Sequence, residues 1–222
     1  MKKYVIIVAG GSGSRMLTAV PKQFVLLNDR PVLMHVFDAF LAYDTNIQFV
    51  LVLAPEYTSQ WDDLCSKFNF TIPHQLVPGG NERFFSVKNG LQIIPANSLV
   101  AVHDAARPLV STATIQRVFD GAEATGNAIP VVPVNESVRV ICGGHNKTFD
   151  RSALRMVQTP QVFRSELLKD AYEQTFNQNF TDDASVFEAA GHQINLVEGN
   201  RGNIKITYPT DLVIAQALLN IC

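Results

Sequence analysis

The 222-residue chain is poor in cysteine, with three residues at positions 65, 142 and 222. The number is odd, the spacing is wide and there is no Cys-x-x-Cys pair. Neither a disulfide framework nor a zinc site is therefore indicated, and a reducing, cytoplasmic setting is expected. Nor is there a surplus of one charge. Eighteen Lys and Arg stand against twenty Asp and Glu, a formal net charge of −2. No global basic field recruits nucleic acid or anionic lipid, so an anionic ligand has to be met by locally placed cations. No apolar run approaches about 18 residues, so no membrane-spanning helix is expected. The run Tyr4-Val5-Ile6-Ile7-Val8-Ala9 behind Lys2-Lys3 begins like a signal peptide but breaks at Gly10-Gly11, which argues against one. What the chain does have is core material. Hydrophobic residues make up 47% and charged residues 17%, a balance that excludes disorder and suits one domain over residues 1–222.

Short apolar runs alternate with helical patterns. Strands are expected at 4–9, 49–54, 71–77, 98–103 and 128–133, and helices at 31–43, 56–68, 82–93 and 112–125. In the third helix Phe85, Val87, Leu91 and Ile94 fall roughly on one face. Near-continuous Val/Ile strands in βα alternation predict an α/β fold with a mostly parallel sheet covered by helices on both faces. The rhythm then changes. Residues 137–142, a turn at 143–146 and residues 147–151 read as a hairpin, either a surface hairpin at the sheet edge or an arm reaching a second subunit. Helices at 165–176 and from Thr181 or Asp182, a strand at 193–198 and a helix from Pro209 complete the chain. Pro209 in the first turn and Asp211 near its positive end mark that last start.

The first strand runs into Ala9-Gly10-Gly11-Ser12-Gly13-Ser14-Arg15-Met16. Glycines here expose backbone N–H groups at the carboxyl edge of the sheet, where open α/β sheets bind phosphate-bearing ligands. The Lys-Ser/Thr ending of a Walker A loop is missing. So are the third glycine and the acid at the end of the second strand that a dinucleotide fold requires. Cations follow instead, Arg15 and then Lys22 in Pro21-Lys22-Gln23-Phe24. The turn reads either as an ordinary tight turn with solvated cations or as a phosphate cradle.

Gly10-Gly11-Ser12-Gly13-Ser14-Arg15-Met16 and Pro21-Lys22-Gln23-Phe24 are joined by Gly79-Gly80-Asn81-Glu82-Arg83 and His103-Asp104-Ala105-Ala106-Arg107-Pro108. Further on come Asp150-Arg151, Thr159-Pro160-Gln161, Thr181-Asp182-Asp183-Ala184 and Asn203-Ile204-Lys205-Ile206-Thr207. In this order, across nearly the whole chain, the set resembles the 2-C-methyl-D-erythritol 4-phosphate cytidylyltransferase family. The resemblance implies a Rossmann-like core, CTP and a polyol phosphate as substrates, Mg²⁺ as cofactor, and a homodimer whose β-arm, here at about 134–151, completes the neighbouring site. Ribitol-5-phosphate cytidylyltransferases share the loop, the PKQF stretch and the TPQ stretch. His103–Pro108, Asp150-Arg151 and Thr181–Ala184 look less like them. A non-catalytic nucleotide-binding protein would be expected to have lost Arg15, Lys22 or Asp104.

The resemblance also implies roles. Arg15, Lys22 and Lys205 are the catalytic cations that steady charge at phosphorus. Ala9, Gly10, Gly11, Gly13, Gly80, Asn81 and Ser86 bind the nucleotide. Asp104 is the metal-associated carboxylate and contacts substrate, and Arg151, donated across the dimer, meets the substrate phosphate. Arg107 either faces the incoming phosphomonoester or caps structure locally. Thr159, Asp182 and Asp183 support the site, whereas His103 is read as packing and Arg83 is left out of the catalytic set. The start of the arm departs from the family's Asp-Thr-then-Lys pattern, reading Asn135-Glu136-Ser137-Val138-Arg139, with Ser137 as the candidate polyol contact. The reaction needs no Ser/His/Asp nucleophile, because the attacking phosphate oxygen is already anionic. Positioning and fixed charge carry it.

Overall fold

The computed structural model describes residues 1–10 and 20–220. An eight-stranded sheet forms its centre. Strand β1 (Lys2–Ala9) lies parallel between β4 (Gln48–Leu53) and β6 (Ser98–Asp104), and β5 (Gln75–Pro78) extends the β4 side. On the other side β11 (Gln161–Arg164) runs antiparallel to β6 and to β7 (Asn127–Pro133). β10 (Arg155–Val157) pairs antiparallel with β7, and β12 (Leu196–Glu198) pairs parallel with it. Outside this sheet, β2 (Leu26–Leu27) pairs with β3 (Arg30–Pro31), and β8 (Val138–Cys142) with β9 (His145–Phe149).

The strand pleat sends alternate side chains to opposite faces, and both faces are apolar. Val5, Ile7 and Leu51 pack with Leu33, Val36, Phe37 and Phe40 of α1 (Val32–Tyr43), Trp61 of α2 (Thr58–Lys67), and Ile115, Val118 and Phe119 of α4 (Thr112–Thr125). Ile6, Val50, Val52, Val100 and Val102 face the other way. They meet Phe84, Val87 and Leu91 of α3 (Arg83–Gln92), Leu168 and Ala171 of α5 (Ser165–Ala171), and Val186 and Phe187 of α6 (Asp183–Ala189). The period-two split within one apolar run is why the strands read as continuous hydrophobic stretches. Helix α7 (Pro209–Leu219) closes the described chain. It has Pro209 in its first turn, and the Asp211 carboxylate accepts from the Tyr208 amide at 2.8 Å. No helix among the described residues is long and apolar enough to cross a membrane.

The α/β architecture, its mostly parallel sheet and its two helical layers match expectation. Several local details differ, among them the unexpected β2–β3 pair and the strand expected at 193–198, which shortens to Leu196–Glu198. Strands β10 and β11, which flank Thr159-Pro160, were not expected. The expected strand at 71–77 shortens to Gln75–Pro78. The helix expected over 165–176 ends at Ala171, where the Tyr172 amide turns back to the Leu168 and Lys169 carbonyls. In α3 the buried stripe runs through Phe84, Val87 and Leu91, while Phe85 is exposed against Phe84 and Phe176. The hairpin turn is the two residues Gly143-Gly144, both with positive φ (55° and 81°), rather than four. That conformation suits the twist of a two-residue hairpin and explains glycine at both positions.

Candidate active site

The carboxyl ends of β1 and β6 sit side by side, with Val8 opposite Asp104 in the parallel ladder and the Ala105 amide donating to the Val8 carbonyl at 3.1 Å. This is the sheet edge where an α/β fold exposes a ligand crevice. A cavity of about 500 Å³ opens there, lined by Val8, Ala9, Gly10, Lys22, Gln23, Gly80, Asn81, Glu82, Arg83, Ser86, Asp104, Ala105, Ala106 and Lys205. A smaller one of about 290 Å³ adjoins it. That cavity shares Arg83, Asp104 and Lys205 and adds Arg107, Thr159, Gln161, Thr181 and Asp182.

Each wall has a local cause. Residues Lys22–Phe24 form one 3₁₀ turn. The buried Gln23 amide donates to the Ala9 carbonyl at 3.0 Å, and the Phe24 ring stacks on Trp61. One side chain fastens the turn to the end of β1 and the next to the core, so Lys22 is left at the cavity. On the opposite wall the Gly80 amide donates to the Ser86 hydroxyl at 3.0 Å, and that hydroxyl donates to the Glu82 carbonyl at 3.2 Å. A Cβ on Gly80 would stand 2.4 Å from the Phe85 Cβ, so only glycine lets the loop fold this tightly over the start of α3.

The floor is a cluster of charge. Asp104 Oδ2 lies 2.8 Å from Lys205 Nζ and 3.6 Å from Arg107 Nε, while its Oδ1 lies 3.6 Å from Arg83 Nε. Burial opposes ionisation of Asp104, but the charges of Arg83, Lys205 and Arg107 outweigh it and hold the carboxyl well below the usual range. Lys205 is brought in by its neighbours. The Ile206 amide donates to the Ala106 carbonyl, Arg107 donates to the Asn203 carbonyl, and the Asn203 side chain donates to the Thr159 carbonyl, each at 2.8 Å. Segments 104–107, 158–161 and 203–206 thus lock together into one corner.

His103 lines neither cavity and braces this corner from the core side. It is fully buried, edge-on to Phe40, with Nε2 at 3.0 Å from the Arg107 carbonyl and Nδ1 at 3.1 Å from the Thr159 hydroxyl. Burial pushes its pKa down to about 4. The Arg107 carbonyl can only accept, so the neutral ring carries its proton on Nε2, and Thr159 donates to Nδ1. The Thr159 oxygen in turn accepts from the Asp104 amide at 3.1 Å.

Of the fourteen expected site residues, nine line the cavities. Ala9, Gly10, Lys22, Gly80, Asn81, Ser86, Asp104 and Lys205 line the larger one, and Arg107 lines the smaller. Arg107 lines the smaller cavity, and its donation to the Asn203 carbonyl fastens 203–206. Gly11, Gly13 and Arg15 lie outside the described residues. The structure does not bring Ser137 or Arg151 to either cavity within one chain. Both are exposed beside the β8–β9 hairpin, where Arg151 donates to the Asn135 carbonyl. Sequence reasoning passed over Gln23, whose anchoring of the PKQF turn had no signal beyond its place in the motif. It also left out Arg83, which lines both cavities.

The family model described as 2-C-methyl-D-erythritol 4-phosphate cytidylyltransferase matches residues 3–221. A protein of that name from Bacteroides thetaiotaomicron is 50% identical over 219 residues, 99% of this chain and all of the relative. One from Azobacteroides pseudotrichonymphae is 48% identical over 220 residues, 99% of each chain. Among solved structures, the 2-C-methyl-D-erythritol 4-phosphate cytidylyltransferase of Thermus thermophilus superposes with a TM-score of 0.80 at 31% identity, covering 99% of this chain and all of that one. The 4-diphosphocytidyl-2C-methyl-D-erythritol synthase of Anaerococcus prevotii superposes at 0.83 with 26% identity, covering 99% and 96%.

Proposed function

Because the chain belongs to the 2-C-methyl-D-erythritol 4-phosphate cytidylyltransferase family, we propose that its two joined cavities are the seats of that reaction's two substrates. The chain transfers the cytidylyl group of CTP to 2-C-methyl-D-erythritol 4-phosphate, giving 4-diphosphocytidyl-2-C-methyl-D-erythritol and pyrophosphate, in isoprenoid precursor synthesis. The observation that carries the site assignment is the corner shared by both cavities, where Lys205, Arg107 and Arg83 surround Asp104.

In this reading CTP occupies the larger cavity. The backbone at Ala9 and Gly10, the Gly80-Asn81 turn and Ser86 hold base and ribose, with Asn81 offering both a donor and an acceptor to cytosine. The triphosphate extends toward Lys22 and Lys205, and the family resemblance adds Gly11, Gly13 and Arg15, which lie outside the described residues, to its binding set. The phosphomonoester enters through the smaller cavity beside Arg107. One of its oxygens forms a bond to the α-phosphorus as the bond from that phosphorus to the β-phosphate bridging oxygen breaks, and the pair of electrons leaves with pyrophosphate. No base is required. Lys22, Lys205 and Arg15 offset the negative charge that two polyanions bring together.

Mg²⁺ fits this site as a metal borne by the nucleotide. Among the described residues no three His, Cys, Asp or Glu gather into a metal cluster. Asp104 is one hard carboxylate, ionised throughout the working pH range, and Mg²⁺ commonly takes one or two carboxylates together with phosphate oxygens and waters. When bound, it would neutralise charge on the triphosphate.

The β8–β9 hairpin serves as the arm of a homodimer. Among the described residues it pairs only within its own two-stranded sheet, and it leaves Ile141 73% and Phe149 38% exposed. Arg151 and Ser137, at the base of the arm, line neither cavity of their own chain, and a second copy would receive them. The reading places this work in the cytoplasm. It is tested by pyrophosphate release with CTP and Mg²⁺, comparing 2-C-methyl-D-erythritol 4-phosphate with ribitol 5-phosphate, and UTP and ATP with CTP. Release confined to the first polyol phosphate and to CTP is expected. Equal or better turnover of ribitol phosphate would contradict the reading.

A further inference from the structure

Arg83 is the first residue of α3, at the wall common to both cavities. Its two terminal nitrogens donate to the two carboxylate oxygens of Asp183 at 2.9 and 2.6 Å. Asp183 is fully buried, and the Tyr172 hydroxyl donates to its Oδ1 at 2.6 Å. Ends of three helices (α3, α5 and α6) therefore converge on one buried carboxylate. The planar fork, once engaged on both prongs, fixes the direction of the whole guanidinium. What remains toward the cleft is the Nε edge, 3.6 Å from Asp104 Oδ1. Asp183 largely cancels the Arg83 charge, so this arginine is poorly suited to seize a phosphate. It is well suited to hold a neighbouring carboxylate.

Asp104 has cations on both sides, with Lys205 and Arg107 at Oδ2 and Arg83 at Oδ1. Without the Oδ1 contact the carboxylate is free to turn wholly onto Lys205 and Arg107. We propose that Arg83, locked by Asp183 and Tyr172, is a positioning residue that holds Asp104 with Oδ2 toward Lys205 and the junction of the two cavities. The inference rests on the role given to Asp104 above. A mere staple between α3 and α6 would make a different prediction, since its loss would lower stability without depending on Asp104.

The test is a double-mutant cycle in the full chain with Arg83→Lys, Asp104→Asn and the pair, reading kcat, KM for CTP and the thermal midpoint. Arg83→Lys is expected to lower kcat by about 10–100-fold, the usual size for loss of a partner that orients a site group, with KM for CTP little changed. In the Asp104→Asn background the same change should add no further loss. A folded Arg83→Lys with wild-type kcat, or losses that multiply in the pair, would overturn the proposal. If Arg83→Lys does not fold, Tyr172→Phe takes its place in the cycle. A kcat loss that vanishes in the Asp104→Asn background supports the proposal, and a wild-type kcat or a loss that persists there refutes it. Should Asp104→Asn itself turn over at the wild-type rate, the reading of Asp104 fails and this inference with it. A slow Asp104→Asn beside a fast Arg83→Lys refutes the inference alone.

Discussion

Lys205 shows how a residue acquires a role from its surroundings. Its side chain is 40% exposed, as an ordinary surface lysine would be, yet its ammonium sits 2.8 Å from a carboxylate walled by two arginines. In the proposed reading this pair holds the lysine at the corner where phosphate oxygens would compete for it. Lys205→Ala should therefore fold normally and lose about 10²–10³-fold in kcat, the usual cost of removing one fixed charge-stabilising donor. Steady-state turnover and a melting curve check this. Gly80 carries a steric constraint instead. Gly80→Ala places a methyl 2.4 Å from the Phe85 Cβ, so the loop has to move. A fall of about 10–100-fold in kcat/KM for CTP is expected, since shifts of about 1 Å at a positioning wall cost that much. An unchanged value would show that the loop does not shape the nucleotide seat.

Elements with long, strongly patterned runs were legible before any coordinates. Strands β1, β4, β6 and β7 and helices α1, α3, α4 and α7 lie within a residue or two of where the sequence put them. The sequence also placed Asp104, because a strand that ends in a carboxylate at the sheet's ligand edge announces itself. Strands β10 and β11 escaped, since three or four residues cannot display a period, and what makes them strands is pairing with β7 and β6. Arg83 escaped for a related reason. Its partners Asp183 and Tyr172 lie 100 and 89 positions away, and only the packing of α3 against α5 and α6 joins them. The β8–β9 hairpin was legible as strand–turn–strand but not as to what it touches. Mixed dimers of Arg151→Ala and Lys205→Ala subunits test its proposed use. Each parent should be nearly inactive, and the heterodimer should regain turnover because one of its two sites is then whole. Verified heterodimers without that gain would mean that each chain completes its own site.

At the scale of the whole molecule, the sheet brings distant motifs to one edge. β1 delivers Ala9 and Gly10, β6 delivers Asp104, and the corner formed by 104–107, 158–161 and 203–206 delivers Arg107, Thr159 and Lys205. The fold thereby sets two cavities side by side with a common wall of mixed charge, an arrangement suited to joining two anions that repel each other in solution. The most direct test is a crystal structure with CTP, Mg²⁺ and 2-C-methyl-D-erythritol 4-phosphate bound to a slow variant such as Lys22→Ala. The account predicts cytosine against Gly80 and Asn81, the α-phosphate at the Asp104–Lys205 corner, and the second phosphate beside Arg107 and in line for attack. A triphosphate seated outside the larger cavity, with Lys205 still closed on Asp104, would contradict it.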